Sequence, residues 1–161
     1  MNTKEYNRAV DAFADKVFRF VKSNTGNRQL AEDVVQDSFE RLWINRSSVD
    51  FDKAKSYLFT TAYHRMIDII RKEKRISYTN EFRDDATHDF AGITDLNEIL
   101  HRAVSKLGDI QRTVVLLRDY EGYSYQEIAG ITGLSETQVK VYIFRARKFL
   151  KEIIGKTENV I

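Results

Sequence analysis

The sharpest local pattern in the chain lies in residues 123–150, YSYQEIAGITGLSETQVKVYIFRARKFL. Two serines in this stretch, Ser124 and Ser135, are each followed three residues later by Glu or Gln, which is the capping-box pattern of a helix start. Gly133 stands between them, where a first helix of about eight residues has to end and the chain has to turn sharply. A short helix, a glycine turn and a longer capped helix predict a helix-turn-helix.

The longer of these two helices has an apolar stripe at helical spacing, which consists of Val139, Ile143, Ala146, Leu150 and Ile153. The opposite side is basic, because residues 138–151 carry five basic side chains and no acidic one. A solvated face is one interpretation, since cations suit the C-terminal end of a helix, but it does not explain an outward Phe144. Phenyl and valine edges can contact thymine methyl groups, and Arg and Lys reach guanine edges or phosphates. The opposite side of the helix consists of Lys140, Val141, Phe144, Arg147, Lys148 and Lys151, with Arg145 at its edge. We therefore predict a DNA-binding face here, and we assign its DNA contacts to Lys140, Val141, Phe144, Arg145 and Lys148.

The rest of the chain also indicates helices. It has no proline, seven glycines and no useful segment that alternates apolar and polar residues. Apolar residues recur at three- and four-residue steps in an opening amphipathic helix and in segments over about 30–44, 53–75, 96–107 and 109–120. Asp109 is the predicted N-cap of the last of these. We predict an all-α fold.

A second candidate binding surface is the aromatic-basic segment, residues 51–75, FDKAKSYLFTTAYHRMIDIIRKEKR. Four aromatic residues are interleaved with lysines there, and the segment ends in four basic residues. Rings beside cations can hold unpaired bases by their faces and phosphates by charge. The alternative is that rings such as Tyr57 and Phe59 belong to the core and that the basic end only satisfies helix carbonyls. The pattern by itself leaves both interpretations open.

The third pattern is an acidic face on the helix over about residues 30–44, and it consists of Glu32, Asp33, Gln36, Asp37 and Glu40. A solvated face is the default interpretation, and a protein-docking surface is its main competitor. Carboxylates at four-residue steps can also bind metal pairs in helical bundles, but such sites need Glu-x-x-His partners that are missing here. We predict no metal site.

Composition excludes several classes of protein. The chain has 161 residues, no cysteine and a net charge of +2, which excludes disulfide scaffolds, thiolate catalysis and cysteine-based zinc sites. Its longest stretch without a charge, residues 56–64, is far shorter than the roughly 20 apolar residues that a membrane helix needs. Nothing resembles a nucleophile elbow, a phosphate-binding glycine loop or a zinc signature. We predict a soluble, cytoplasmic protein that is not an enzyme and has no cofactor.

Charge divides the chain into two units. Residues 1–75 hold 15 basic and 11 acidic side chains, a net charge of +4, and residues 96–161 hold 10 and 8, a net charge of +2. Residues 76–95 hold one basic and five acidic side chains, a net charge of −4, without a sustained apolar period. We expect two small helical domains, 1–75 and 96–161, joined by a flexible acidic linker over 76–95.

Along the chain the acidic face comes first, then the aromatic-basic segment, then the helix-turn-helix. In that order they resemble the extracytoplasmic-function (ECF) sigma factors, small members of the sigma-70 family that direct bacterial RNA polymerase to promoters. Residues 29–43, QLAEDVVQDSFERLW, resemble the family's region 2.1–2.2, and residues 56–75 resemble its regions 2.3–2.4. Residues 116–150 closely resemble region 4, down to the Tyr-Gln-Glu-Ile-Ala and Arg-Ala-Arg-Lys groupings. The resemblance implies a region 2 domain that docks on core polymerase and opens the −10 element, and a region 4 helix-turn-helix domain that reads the −35 element.

The resemblance also implies roles for single residues. The predicted DNA-binding face over residues 138–151 would read the −35 element. Polymerase contact would come mainly from Asp33, Gln36, Asp37 and Glu40, while Phe39 and Trp43 are left largely to packing. The −10 element would be contacted by Phe51, Tyr63, His64, Arg71 and Arg75. The loop over residues 45–51 lies where the family captures an extruded promoter base.

Two residues depart from the family's pattern. His64 stands where many members have asparagine, so the base preference that this position helps to set is open. Gly108 stands where a proline usually opens the next helix, a change that affects local rigidity.

Two classes of function remain at this point. The leading one is a dissociable transcription-initiation subunit that binds core RNA polymerase and promoter DNA and, by the resemblance, an anti-sigma factor. The alternative is a stand-alone helix-turn-helix regulator whose N-terminal helices form a dimerisation or sensing module. A metal-dependent enzyme is a distant third. The aromatic-basic segment and the acidic face discriminate between the first two, because a simple repressor needs neither.

Overall fold

The computed structural model describes residues 1–77 and 96–158 of the chain, and all of their regular structure is helical. The elements are α1 (Thr3–Thr25), α2 (Arg28–Ile44), α3 (Phe51–Ser77), α4 (Leu96–Ser105), α5 (Asp109–Val115), a π-helical segment (Leu116–Tyr120), α6 (Tyr125–Thr132) and α7 (Glu136–Glu158). The predicted all-α class is confirmed. Of the predicted linker, residues 78–95 lie outside the described residues.

Helices α1, α2 and α3 form one packed unit. Asn2 and Glu5 close a capping box at the start of α1, and Gly26 ends that helix with a φ of 65°, a left-handed conformation that glycine adopts without strain. The side-chain oxygen of Asn27 then accepts a bond from the Leu30 N–H at 3.1 Å and so caps α2. The apolar stripes of the three helices meet in a core whose largest buried side chains are Phe20, Leu42, Leu58, Phe59 and Met66.

The helix-turn-helix forms as the sequence predicts. Ser124 and Glu127 exchange two capping-box bonds of 3.1 Å each, and Ser135 and Gln138 exchange bonds of 2.9 and 3.1 Å. Gly133 ends α6 with a φ of 79°. The apolar stripe of α7 faces inward, with Val139, Ile143 and Ala146 buried and Leu150 and Ile153 half-buried. The outer side of α7 is therefore left for solvent or a partner.

The predicted N-cap of α5 is wrong by one residue. Gly108 occupies the N-cap position, and Asp109 is the first residue of the helix. The Asp109 carboxylate accepts bonds from Arg112 at 2.9 Å and from Lys74 at 3.2 Å. Each carboxylate oxygen is thus bonded to a cation, and no side chain caps the start of α5.

The predicted helix over residues 109–120 is α-helical only as far as Val115 and continues as the π-helical segment. Such segments are rare and are frequently found at functional sites, and the sequence pattern carries no signal for this one. Glu121 follows the segment as its C-cap, and the Glu121 carboxylate accepts bonds from Arg19 of α1. The wider turn therefore leads directly into a contact between the two halves of the chain.

The N-terminal half, α1 to α3, and the C-terminal half, α4 to α7, lie against each other. Helix α1 contacts α4, α5 and the π-helical segment, and α3 contacts α6. Buried apolar residues from both halves belong to one continuous core cluster. Two units separated by charge are what the sequence indicates, and nothing in its pattern indicates this contact between them.

Candidate nucleic-acid interface

The outer side of α7 presents the five residues that are predicted to contact DNA, which together we call the reading face. All five of its members are exposed: Lys140, Val141, Phe144, Arg145 and Lys148. Two of them are apolar, with Phe144 70% and Val141 41% exposed. A large ring left in water between cations is costly for a free protein, and it is suited to contact with the methyl-bearing edges of a DNA major groove.

A ring from the first helix of the motif supports the N-terminal end of the reading face. The Lys140 ammonium lies 5.6 Å from the centre of the Tyr125 ring, and it also lies 4.0 Å from a Glu136 oxygen. The Arg118 guanidinium lies 4.5 Å from the same ring. No sequence pattern indicates a role for Arg118 or Tyr125 at this face, because neither belongs to the basic run of α7.

One cation on the outer side of α7 is held by an internal partner. Arg147 makes a two-pronged bond with Asp119 of the π-helical segment, with its Nε at 3.1 Å from a carboxylate oxygen. This hydrogen bonding raises the pKa of Arg147. The neighbouring Lys148 is exposed. Two adjacent cations that look alike in the sequence therefore differ, because the Arg147 side chain is bonded to Asp119.

The predicted −10 residues on α3 divide into two groups. His64, Arg71 and Arg75 are exposed. Tyr63, by contrast, is only 6% exposed, and burial raises the pKa of its hydroxyl. Phe51 is half-buried, with the Phe13 ring centre at 6.1 Å and the Arg8 guanidinium at 4.5 Å. The polar members of the predicted site are thus open to solvent, and its rings are packed against their own chain.

Two further rings of the aromatic-basic segment contact other parts of their own chain. Phe59 is fully buried and lies 5.4 Å from Phe20, centre to centre, which confirms the core interpretation for that ring. Tyr57 fixes the loop between α2 and α3, because its hydroxyl accepts a bond from the Asn45 amide at 3.0 Å. The chain's N-terminal ammonium also bonds to this loop, at the Arg46 and Val49 carbonyls. The predicted base-capture loop is therefore held from two sides.

The acidic face of α2 points outward, with one exception. Glu32, Asp33, Gln36 and Glu40 are exposed, whereas Asp37 is partly covered. The Asp37 carboxylate accepts a 2.8 Å bond from Arg65 of α3. No sequence pattern indicates this pairing, because the two residues are 28 positions apart.

The end of α2 adds apolar surface beside this face. Trp43 is partly exposed, and the Arg46 guanidinium lies 3.9 Å from its ring centre. The same ring packs against Tyr6 at 4.9 Å, so the predicted packing role accounts for only part of it. Phe39 is buried, as predicted, and Ile44 is largely exposed. Acidic and apolar groups side by side are suited to a protein partner rather than to nucleic acid.

Residues 1–77 and 96–158 contain no cluster of three or more His, Asp or Glu side chains that could hold a metal ion. None of the helices in these ranges is both long enough and apolar enough to cross a membrane.

Comparisons with known proteins agree on one family. Residues 9–76 match the sigma-70 region 2 family, and residues 97–150 match the sigma-70 region 4 family. The ECF RNA polymerase sigma factor SigM of Bacillus subtilis (strain 168) is 31% identical over 152 residues, which cover 91% of this chain and 93% of SigM. The RNA polymerase sigma factor SigV of the same organism is 30% identical over 146 residues, covering 88% of this chain and 86% of SigV.

Solved structures share the fold. The sigma factor RpoE from Bartonella quintana, in complex with the anti-sigma factor NepR, is similar with a TM-score of 0.80 and 24% identity over 95% of this chain and 98% of RpoE. CnrH, in complex with the cytosolic domain of CnrY, is similar with a TM-score of 0.69 and 23% identity over 96% of this chain and 90% of CnrH.

Proposed function

The chain belongs to the ECF sigma factors of the sigma-70 family, the RNA polymerase subunits that direct promoter-specific initiation, and from that membership we propose what each of its surfaces binds. The reading face of α7 contacts the −35 element in the major groove. The exposed part of α3 acts at the −10 element. The acidic face of α2 docks on core RNA polymerase. Residues 1–75 and 96–161 are the two functional domains, and residues 76–95 link them.

The observation that supports the −35 assignment most strongly is the exposed Phe144 on a helix that otherwise exposes cations. The N-terminal residues of a recognition helix approach base edges first. Lys140, Val141, Phe144 and Arg145 lie in that half and are exposed, so we assign base contacts to them. Lys148 lies a turn further along, and we assign it to a phosphate, which positions the helix without reading sequence.

The −10 assignment depends on His64 more than on the rings around it. The imidazole is exposed and meets the buried Tyr63 ring edge-on, with 5.4 Å between centres. We propose that His64 contacts the promoter base and that Tyr63 holds the imidazole in place. Arg71 and Arg75, exposed further along α3, supply charge for phosphates of the separated strand.

The docking assignment agrees with the low net charge of +2. A DNA-binding domain that works alone commonly has a marked basic excess, and this chain does not, so we infer that polymerase supplies much of the promoter affinity. A stand-alone regulator is less well supported, because it has no use for an outward acidic face on α2.

We further propose that this protein is regulated by an anti-sigma factor, in the way that RpoE is found bound to NepR and CnrH to the cytosolic domain of CnrY. It acts by binding and not by catalysis, in the cytoplasm where RNA polymerase and the promoter are. The identity of the anti-sigma factor is a question for co-purification from the native host.

The first test is run-off transcription with purified core polymerase and a promoter library. Transcripts that require both core enzyme and this protein support the proposal. If the protein binds a specific duplex equally strongly with and without core enzyme, and no transcript forms, the stand-alone regulator is favoured instead.

The docking surface is tested by reversing charge at Asp33 and Glu40, which are exposed and outside the Arg65 pair. The double variant D33K/E40K is expected to bind core polymerase several-fold more weakly at low salt, with unchanged helical content, because charges at an interface mainly control the rate of association. The matched control is D11K/D15K, which makes the same change of charge at two exposed positions of α1. Equal binding by both double variants would refute the docking assignment.

A further inference from the structure

The two halves of the chain are joined by a bidentate ion pair. Arg19 of α1 donates from Nε at 3.2 Å and from Nη2 at 2.9 and 3.0 Å to the two carboxylate oxygens of Glu121. The Arg19 side chain is 52% exposed, but that of Glu121 is 2% exposed. A carboxylate buried to this extent depends on its partner, because an unpaired buried charge is strongly unfavourable.

A buried polar pair lies beside this ion pair. The Thr113 hydroxyl of α5 and the Asn24 side-chain oxygen of α1 are 2.9 Å apart, and the Asn24 amide donates to the Phe20 carbonyl at 2.9 Å. Asn24, Thr113 and Glu121 are three of the four polar or charged residues that are buried within the described ranges. Polar groups placed at this one interface make it specific, and they can be hydrated again when the halves separate.

A ring from the C-terminal half also covers part of α3. The Tyr123 ring lies 5.3 Å from the Phe59 ring centre and 4.8 Å from the Lys55 ammonium. Tyr123 is buried, and its hydroxyl has no hydrogen-bond partner among the described residues. A buried hydroxyl without a partner opposes the closed arrangement, so the interface combines groups that favour closure with one that favours opening.

This arrangement conflicts with binding two distant DNA elements at once. The −10 and −35 elements are about 25 base pairs apart, as their names state, which is about 85 Å along the duplex. A compact chain of 161 residues has a radius of gyration of about 15 Å. In the closed chain α6, which adjoins the reading helix, lies directly against α3. The halves therefore have to separate before each can lie on its own element.

We propose that Arg19, Asn24, Thr113 and Glu121 form a latch that holds the free protein in this closed, promoter-incompetent state. The latch couples α1 to the α5 and π-helical region, and its release is the conformational step between the free protein and the promoter complex. This inference depends on the proposed function for its promoter-binding consequence, but not for the closed state itself. A protein whose competent form is a small fraction of the total binds more weakly in proportion to that fraction.

The closed state is tested by small-angle scattering on the full chain. The variants R19E and E121K each place like charges opposite one another and are expected to raise the radius of gyration above about 15 Å, with unchanged helical content by circular dichroism. The double variant R19E/E121K restores opposite charges and is expected to return to the compact value. T113V replaces the hydroxyl that bonds to Asn24 with a methyl group and changes no charge, so it is expected to raise the radius of gyration in the same direction without the effects of charge reversal. The control is R28E, which breaks the surface pair with Glu32 within the N-terminal half.

The promoter consequence is tested on the same variants with limiting amounts of protein in open-complex assays with core polymerase. The opened single variants are expected to form promoter complexes at about tenfold lower concentration than the parent, which corresponds to a closed-state preference of about 1.4 kcal/mol. The double reversal is expected to return to the parent's value. If the single variants stay compact, or if they open and the required concentration does not fall, the latch is overturned. If scattering changes as expected and no variant or parent supports transcription, the closed state stands and the proposed function is refuted.

Discussion

The two helices proposed to contact DNA differ in how far they expose the residues assigned to that contact. The reading face of α7 is exposed at every one of its five positions, and its apolar stripe rests on α5 and α6. On α3 only the polar positions are exposed, while Tyr63 and Phe59 are buried and Tyr123 of the other half covers part of the helix. Duplex recognition needs a preformed convex surface, which α7 supplies. An unpaired base is available only after the strands have separated, so α3 does not need to expose its rings in the free protein.

The largest difference between α3 and α7 is expected when one ring on each helix is truncated. F59A removes a fully buried side chain and is expected to lower the free energy of unfolding by about 3–5 kcal/mol. F144A removes an exposed ring and is expected to change it by less than about 0.5 kcal/mol. Urea denaturation followed by circular dichroism measures both. A large loss of stability in F144A would mean that its ring packs against the chain and is not available for DNA.

The sequence predicts α7 far better than α3, for a physical reason. On α7 a clean apolar stripe and a basic opposite face specify one orientation, and the capping boxes and Gly133 fix where the helix-turn-helix begins and turns. On α3 aromatic residues occur on several sides of the helix, and an aromatic ring suits a core as well as a stacking site. Which of them are buried depends on Phe20 from α1 and on Tyr123 from the turn before α6, and no local pattern encodes those neighbours.

The same limitation applies to the ion pairs. Arg65 with Asp37, Arg147 with Asp119 and Arg19 with Glu121 join residues 28, 28 and 102 positions apart. Helical periodicity places each charge on a face but says nothing about which face of another helix meets it. The π-helical segment before Glu121 is a further feature of the backbone without a signal in the sequence.

The next largest effect is expected on base preference at the −35 element. R145A removes an exposed cation in the N-terminal half of α7 and is expected to cost about 1–3 kcal/mol on the preferred promoter, with a changed set of tolerated sequences. Transcription from a library randomised across the −35 element measures both effects. The matched control is K148A, which is expected to weaken all promoters about equally. If K148A alone altered preference, the rotational assignment of the helix would be wrong by one residue.

A smaller effect is expected at α3. H64A is expected to slow open-complex formation on a duplex promoter by about 1 kcal/mol, the lower end of the range for one base contact, and a pre-melted template should restore part of the loss. His64 is a sharper test than Tyr63 or Phe51, because alanine at those packed positions also lowers stability. H101A, an exposed histidine of α4, is the control. Equal permanganate reactivity of the opened strands in both variants would remove His64 from the −10 site.

The smallest expected effect distinguishes two neighbouring cations on α7. Lys148 is exposed and is assigned to a phosphate, so K148A is expected to reduce the dependence of log K on log salt by about 0.9, the contribution of one phosphate contact. Arg147 is bonded to Asp119, so moving its charge to DNA would first break that pair. R147A is therefore expected to leave the salt slope nearly unchanged and to lower stability by about 0.2–1 kcal/mol.

Titration of a −35 duplex at several salt concentrations measures the salt slope of each variant. Equal losses of slope would show that Arg147 exchanges Asp119 for a phosphate on binding, and the preformed state of α7 would then include one rearrangement of its own.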